Sequence, residues 1–161
     1  MSPTVGLIGA STSASGPTEK PKITPIVLEL CCGSARISRA CSTLGLRAIG
    51  FDFVRNMSTP EAFCLTIDLA SDDGQELAWK WIKHPATAFI WWAPPCGTAS
   101  RARERPDGPP PLRSDEHPEG IPGLCGYDKI RVDTANVLYT FCGEVCEYCR
   151  THGVGFCIEN P

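Results

Sequence analysis

No stretch of this sequence approaches the roughly 18 consecutive apolar residues of a membrane span, so no spanning helix is expected. The opening segment, Met1 to Thr24, lacks a basic region followed by an apolar one, so no secretory signal is visible. Excess positive charge is missing as well: 15 Lys and Arg stand against 18 Asp and Glu, for a formal net charge of -3. A protein that grips nucleic acid by overall basicity is thereby excluded, and any nucleic-acid partner must be held locally or by something outside this chain. Ten cysteines in 161 residues fall below the roughly 8–10% that marks a secreted disulfide scaffold. Reduced thiols and an intracellular location, nuclear or cytoplasmic, are the expectation.

What is present is enough apolar material, 42% of the residues, for one ordinary domain with a real core. Residues 1–25 are rich in Ser, Thr, Gly and Pro and read as a flexible leader. The run Ile26-Val-Leu-Glu-Leu30 is short, apolar and partly β-branched, as in a buried parallel strand. After the turn Cys31-Cys32-Gly33, Ser34 is placed to cap a helix with apolar positions Ile37, Ala40, Cys41 and Leu44, ended by Gly45. Arg47 to Phe51 reads as a second strand closing on Asp52, and Leu65 to Ile67 as a third closing on Asp68. Ser71 or Asp72 then caps a helix running through Leu77, Trp81 and Ile82, before a fourth strand, Thr87 to Trp92.

Eight of the fifteen prolines lie between Pro94 and Pro122, which predicts a long loop over residues 97–127. From Lys129 to Thr151 the spacing of Val132, Ala135, Tyr139, Cys142, Cys146 and Cys149 predicts one buried stripe of a long helix, broken at Gly153. Gly155 to Ile158 is a fifth strand. Strands alternating with helices imply an open parallel sheet in the order 3-2-1-4-5, whose ligands collect at the carboxyl ends of the strands. Gly33, Asp52, Asp68, Cys96 and Glu159 all fall there.

A glycine turn opening a helix lets backbone N–H groups approach a polar cofactor group, and an acid closing the second strand can hold ribose hydroxyls. One glycine where dinucleotide fingerprints carry three disfavours a nicotinamide cofactor and favours a smaller nucleoside cofactor. Cys96 follows Pro94 and Pro95 on a backbone they stiffen, so its thiol is placed to project from a rigid loop as a nucleophile, with a packed structural cysteine as the alternative. Glu159 ends a strand next to the one that delivers Cys96, and a carboxylic acid beside a thiolate is a workable acid–base pair, the alternative being a strand-end glutamate that hydrogen-bonds the neighbouring loop.

The segments Glu29-Leu-Cys-Cys-Gly-Ser-Ala35, Phe51-Asp52, Ile67-Asp68-Leu69, Ala93-Pro-Pro-Cys96-Gly-Thr-Ala-Ser100 and Ile158-Glu159-Asn160-Pro161 resemble motifs I, II, III, IV and VI of the cytosine-C5 DNA methyltransferases. The resemblance spans Ile26 to Pro161 and implies the amino-terminal part of a Rossmann-like class I S-adenosyl-L-methionine-dependent methyltransferase sheet. The carboxy-terminal part of the domain and further domains would then lie beyond Pro161. It implies that Cys96 attacks C6 of a cytosine flipped out of DNA, since the ring is out of reach inside the duplex. Glu159 would contact N3, and Asn160 would support the loop carrying Pro95 and Cys96. Cofactor contacts would come from Glu29, Cys31, Gly33, Ala35, Asp52 on the ribose, Phe53, Asp68 on the adenine amine, Leu69 and Pro94. Ser100 would lie against the nucleic acid.

Arg101 and Arg103, just past Cys96, are placed to touch phosphates. Yet residues 93–130 hold five basic and six acidic side chains, which a solvated loop explains equally well. Cys146-Glu-Tyr-Cys149 with His152 has metal-like spacing, but these cysteines fall on the helix stripe and no second C-x-x-C completes a site, so core packing is the expectation. Two other functions stay open: an RNA cytosine-C5 methyltransferase, and a catalytically silent binding module within a larger polyprotein.

Overall fold

The computed structural model describes residues 24–53 and 59–159, so the leader residues 1–23 and Asn160 lie outside the described residues. The chain runs β1 (Ile26–Leu30), α1 (Arg36–Thr43), β2 (Arg47–Asp52), β3 (Cys64–Thr66), α2 (Asp72–Ile82), β4 (Thr87–Trp92), α3 (Gly126–His152) and β5 (Gly155–Ile158), with short 3-10 turns at Cys96–Thr98 and Arg101–Glu104. The strands form one all-parallel sheet in the order β3-β2-β1-β4-β5, a Rossmann-like arrangement. Among the described residues no helix is long and apolar enough to cross a membrane.

Parallel register sends aligned residues to the same face of the sheet. One row is Phe51, Leu30 and Trp92, and the row below it is Ile49, Leu28 and Ile90. All six are buried. They meet α2 and α3: Phe51 packs edge-on against Trp81 at 6.4 Å between ring centroids, and Trp92 against Phe141 at 5.3 Å. Trp79 joins the two helices through Phe141 and Tyr148, each at 5.6 Å. The opposite face is covered by α1 over β1 and β2.

Helix α1 departs from the sequence reading. Its N-cap is Ala35, held in the left-handed region at φ 56°, and not Ser34. The capping acceptor arrives from the sheet: the buried carboxylate of Glu29 accepts from the Ser38 N–H at 2.6 Å and the Ile37 N–H at 3.3 Å. A carboxylate does better here than a serine hydroxyl, because it meets two orphan amides at the positive end of the helix dipole. Glu29→Ala is expected to cost about 1.5–3 kcal/mol, the range for hydrogen bonds to a charged group, readable as a lower urea midpoint at unchanged slope. The residue α1 turns to the sheet is Ser38, while Leu44 of the expected apolar stripe is 78% exposed.

Smaller differences follow from packing. β3 pairs with β2 over Cys64–Thr66, one residue earlier than the apolar run suggests. In α2, capped by Ser71 as expected, Gly74, Ala78 and Ile82 are buried while Leu77 is largely exposed. α3 starts at Gly126 and buries Leu138, Phe141 and Val145 besides Val132, Ala135, Cys142 and Cys149 of the expected stripe, while Tyr139 and Cys146 of that stripe are only half-buried. Gly153 ends it in the left-handed conformation, φ 70°.

Candidate functional site

The order of the sheet reverses between β1 and β4, and the loops that leave those two strands separate in opposite directions. A cleft of about 960 Å³ opens there, lined by Cys31 and Gly33 after β1, Asp52 and Phe53 after β2, and Asp68 and Leu69 after β3. Ala93, Pro95, Gly97 and Thr98 after β4 complete its sheet-side wall. Four sequence-separated segments singled out from the sequence therefore meet in one cavity of the size that holds small cofactors.

The turn after β1 is built by left-handed residues at Cys31 (φ 56°), Gly33 (φ 54°) and Ala35 (φ 56°). Asp52 fastens it: its carboxylate accepts the Gly33 N–H at 2.6 Å and the Phe53 N–H at 2.8 Å while facing the cleft. Asp68 accepts the Ala70 N–H at 3.0 Å, which fixes its carboxylate at the far side of the cleft. Burial, and after it the Asp52 carboxylate, pushes the Cys31 thiol up to about 12, so Cys31 rests protonated at neutral pH.

Cys96 lies half-buried between the cleft-lining Pro95 and Gly97, at the start of a 3-10 turn. Its carbonyl accepts from the Ala99 and Ser100 N–H groups at 2.9 and 2.8 Å. The loop is braced from outside. The Tyr139 hydroxyl donates to the Pro95 carbonyl at 3.0 Å, and Arg103 and Arg131 both donate to the Gly97 carbonyl, at 3.1 and 3.3 Å. Arg113 donates to Thr98 Oγ1 at 3.2 and 3.1 Å and to Asn136 Oδ1 at 2.8 Å, and lies over the Tyr139 ring. The long loop, which ends at Cys125, is thus tied to α3, with Leu112 fully buried beneath it.

The predicted site residues divide. Cys31, Gly33, Asp52, Phe53, Asp68, Leu69 and Pro95 line the cleft. Glu29 and Ala35 lie beneath the turn, the first capping α1 and the second forming its N-cap. Pro94 is buried under the Cys96 loop. Glu159 is exposed just past β5, with its N–H on the Trp92 carbonyl at 2.8 Å, which puts it at the strand end beside the one leading to Cys96. Arg103 braces the loop through Gly97 and Pro110, and Arg101 falls in the neighbouring 3-10 turn.

Sequence reasoning missed the wall contributed by α3: Tyr127, Ile130, Arg131, Thr134 and Leu138 close the front of the cleft. The available signal was apolar residues outside the stripe expected from the sequence, Ile130 and Leu138. On the same helix, Cys149 is fully buried, burial pushes the Cys142 and Cys149 thiols up to about 12 and about 11, and His152 stacks on Tyr148. Among the described residues no group of three or more His, Cys, Asp or Glu side chains is placed to hold a metal ion.

Neither a protein-family model, nor a curated protein, nor a solved structure matches the chain.

Proposed function

We propose that this chain carries the cofactor and nucleophile half of a cytosine-C5 methyltransferase site acting on DNA, with RNA as the alternative substrate. The observation that carries the reading is the meeting, in one cleft at the reversal of strand order, of the Gly33 turn, two strand-end carboxylates and the Pro-Pro-Cys loop.

The donor set fits S-adenosyl-L-methionine. Asp52 offers a carboxylate for a ribose diol, Asp68 one for an exocyclic amine, and Leu69, Phe53 and Leu138 offer apolar surface for a purine ring. When bound, that cofactor supplies a methyl group on a sulfonium, electrophilic enough to be taken by C5 of an activated pyrimidine. The protein's part is to make C5 nucleophilic. The Cys96 thiolate adds to C6 of the extruded cytosine, and Glu159 shares its proton with N3, so the charge that develops on the ring is neutralised as the C–S bond forms. Pro94 and Pro95 limit the backbone freedom of the attacking residue, and the braces on Pro95, Gly97 and Thr98 hold its loop before substrate arrives.

Calorimetric titration with S-adenosyl-L-methionine tests the first half of this reading. Asp52→Ala is expected to weaken binding about 10- to 150-fold, equivalent to about 1.5–3 kcal/mol for hydrogen bonds to a charged group. Equal affinity in the two proteins would remove Asp52 from the cofactor site. Binding of the cofactor without reaction at Cys96 would favour the silent binding module.

A further inference from the structure

A second sulfur chemistry is built into the other side of the turn after β1. Across the face covered by α1, register aligns Cys64 of β3, Gly50 of β2 and Glu29 of β1 in one row. The left-handed Cys31 turns the chain back at the end of β1, and the Cys32 N–H bonds the Phe51 carbonyl at 3.0 Å. Cys32 therefore lies over β2 and does not extend β1. What it lies over is Gly50: a Cβ at that position would stand 2.8 Å from Cys32 Sγ and 3.2 Å from Cys32 Cβ. The bare glycine leaves a slot across which Cys32 Sγ and Cys64 Sγ meet at 3.3 Å.

We propose that Cys32 and Cys64 form a dithiol site that hydrogen peroxide or a comparable small peroxide closes to an intramolecular disulfide, independently of any reaction at Cys96. The sulfurs need approach by only about 1.3 Å to reach the bonded distance of about 2.05 Å. Burial pushes both thiols up, so the attacking form is the minor thiolate fraction of Cys64, which is the more accessible of the two while Cys32 is buried. Cys64 Sγ attacks one peroxide oxygen and the O–O bond breaks. The first water leaves with the thiol proton, and a sulfenic acid remains on Cys64. Cys32 Sγ then displaces the hydroxyl, forming the S–S bond, and its proton leaves in the second water. Two thiols are oxidised and one peroxide is reduced to two waters.

The bond would join two walls of the cleft. Cys32 sits between the lining residues Cys31 and Gly33, and Cys64 leads through Leu65 into the lining residues Thr66 and Asp68. Cys142 and Cys146 also neighbour each other, but one helical turn apart on α3, where the backbone holds them from closing.

The test is brief peroxide treatment of the whole chain, an alkylating quench and peptide mapping without reductant. The expected result is a Cys32–Cys64 cross-linked peptide as the main disulfide, lighter by two hydrogens and removed by dithiothreitol. Cys64→Ser should abolish it. Gly50→Ala, whose methyl fills the slot, should lower its yield at least about tenfold. Phenylarsine oxide, which bridges two nearby thiols with loss of one water, provides a measurement that needs no variant to fold. It should protect both Cys32 and Cys64 from alkylation in the unmodified protein. Free Cys32 and Cys64 after other cysteines have oxidised, or cross-links of Cys32 spread evenly over several partners, would overturn the proposal, as would failure of the arsenical to protect the pair.

Discussion

Covalent capture of nucleic acid carrying 5-fluorocytosine, in the presence of S-adenosyl-L-methionine, is expected to occur through Cys96 and to vanish in Cys96→Ser. The effect is all-or-none because the captured species contains the C–S bond itself: fluorine at C5 cannot leave as a proton does, so the final elimination that would release the enzyme is blocked. Serine keeps the shape of the side chain and loses the nucleophile, since a hydroxyl at neutral pH offers far less anion than a thiol. Cofactor affinity should stay within about twofold, because Cys96 itself does not line the cleft although Pro95 and Gly97 do. Mass mapping of the adduct decides the matter. An adduct on Cys31 would contradict the assignment and would be unexpected, since its thiol is pushed up to about 12. Running the experiment with DNA and with RNA in parallel separates the two substrate readings.

The features legible in the sequence were those governed by neighbours a few residues apart. The strands at Ile26–Leu30, Thr87–Trp92 and Gly155–Ile158 lie where short apolar runs place them, and their parallel order follows from the intervening helices. Gly33, Asp52, Asp68 and Pro95 could be located because each is a strand-end residue, and strand ends of such a sheet converge. What could not be read were partnerships across long separations. The cap of α1 comes from Glu29, eight and nine residues before the amides it accepts. A search for a local Ser, Thr, Asp or Asn settles on Ser34 and passes over it. Ser38 is turned inward where its N–H meets the buried Glu29 carboxylate, and Leu44 falls outward at the end of α1.

The proline-rich loop shows the same limit from another side. Its composition predicts a long excursion, and nothing local predicts that Arg113 would reach Thr98 and Asn136, or that Tyr139 would reach Pro95 over 44 residues of sequence. These contacts change what α3 is. Its stripe of Val132, Ala135, Leu138, Phe141, Val145 and Cys149 makes it a core helix, while its amino-terminal turns hold the loop bearing Cys96 and wall the cleft. One element therefore couples the packing of the sheet to the geometry of the site.

That coupling sets the largest stability effect expected outside the site. Phe141 is fully buried and meets Trp92 of the sheet and Trp79 of α2 edge-on, at 5.3 and 5.6 Å between centroids, so it joins three elements at one point. Phe141→Ala removes both ring contacts and leaves a cavity between rigid indoles that cannot collapse into it, for an expected loss of about 3–5 kcal/mol. Against a total stability of about 5–15 kcal/mol this lowers the melting midpoint by roughly 6–20 °C. Phe141→Leu restores apolar bulk without the ring edges and should cost only about 1–2 kcal/mol. The site-facing residues of α3 lie toward its amino end, from Tyr127 to Leu138. Well below its own melting midpoint, Phe141→Ala should therefore keep cofactor affinity within about threefold. Calorimetric melting paired with titration reads both quantities. An unchanged midpoint would mean that α3 is not seated on Trp92. A large loss of affinity in the folded variant would mean that the cleft wall depends on the whole length of the helix and not on its first turns.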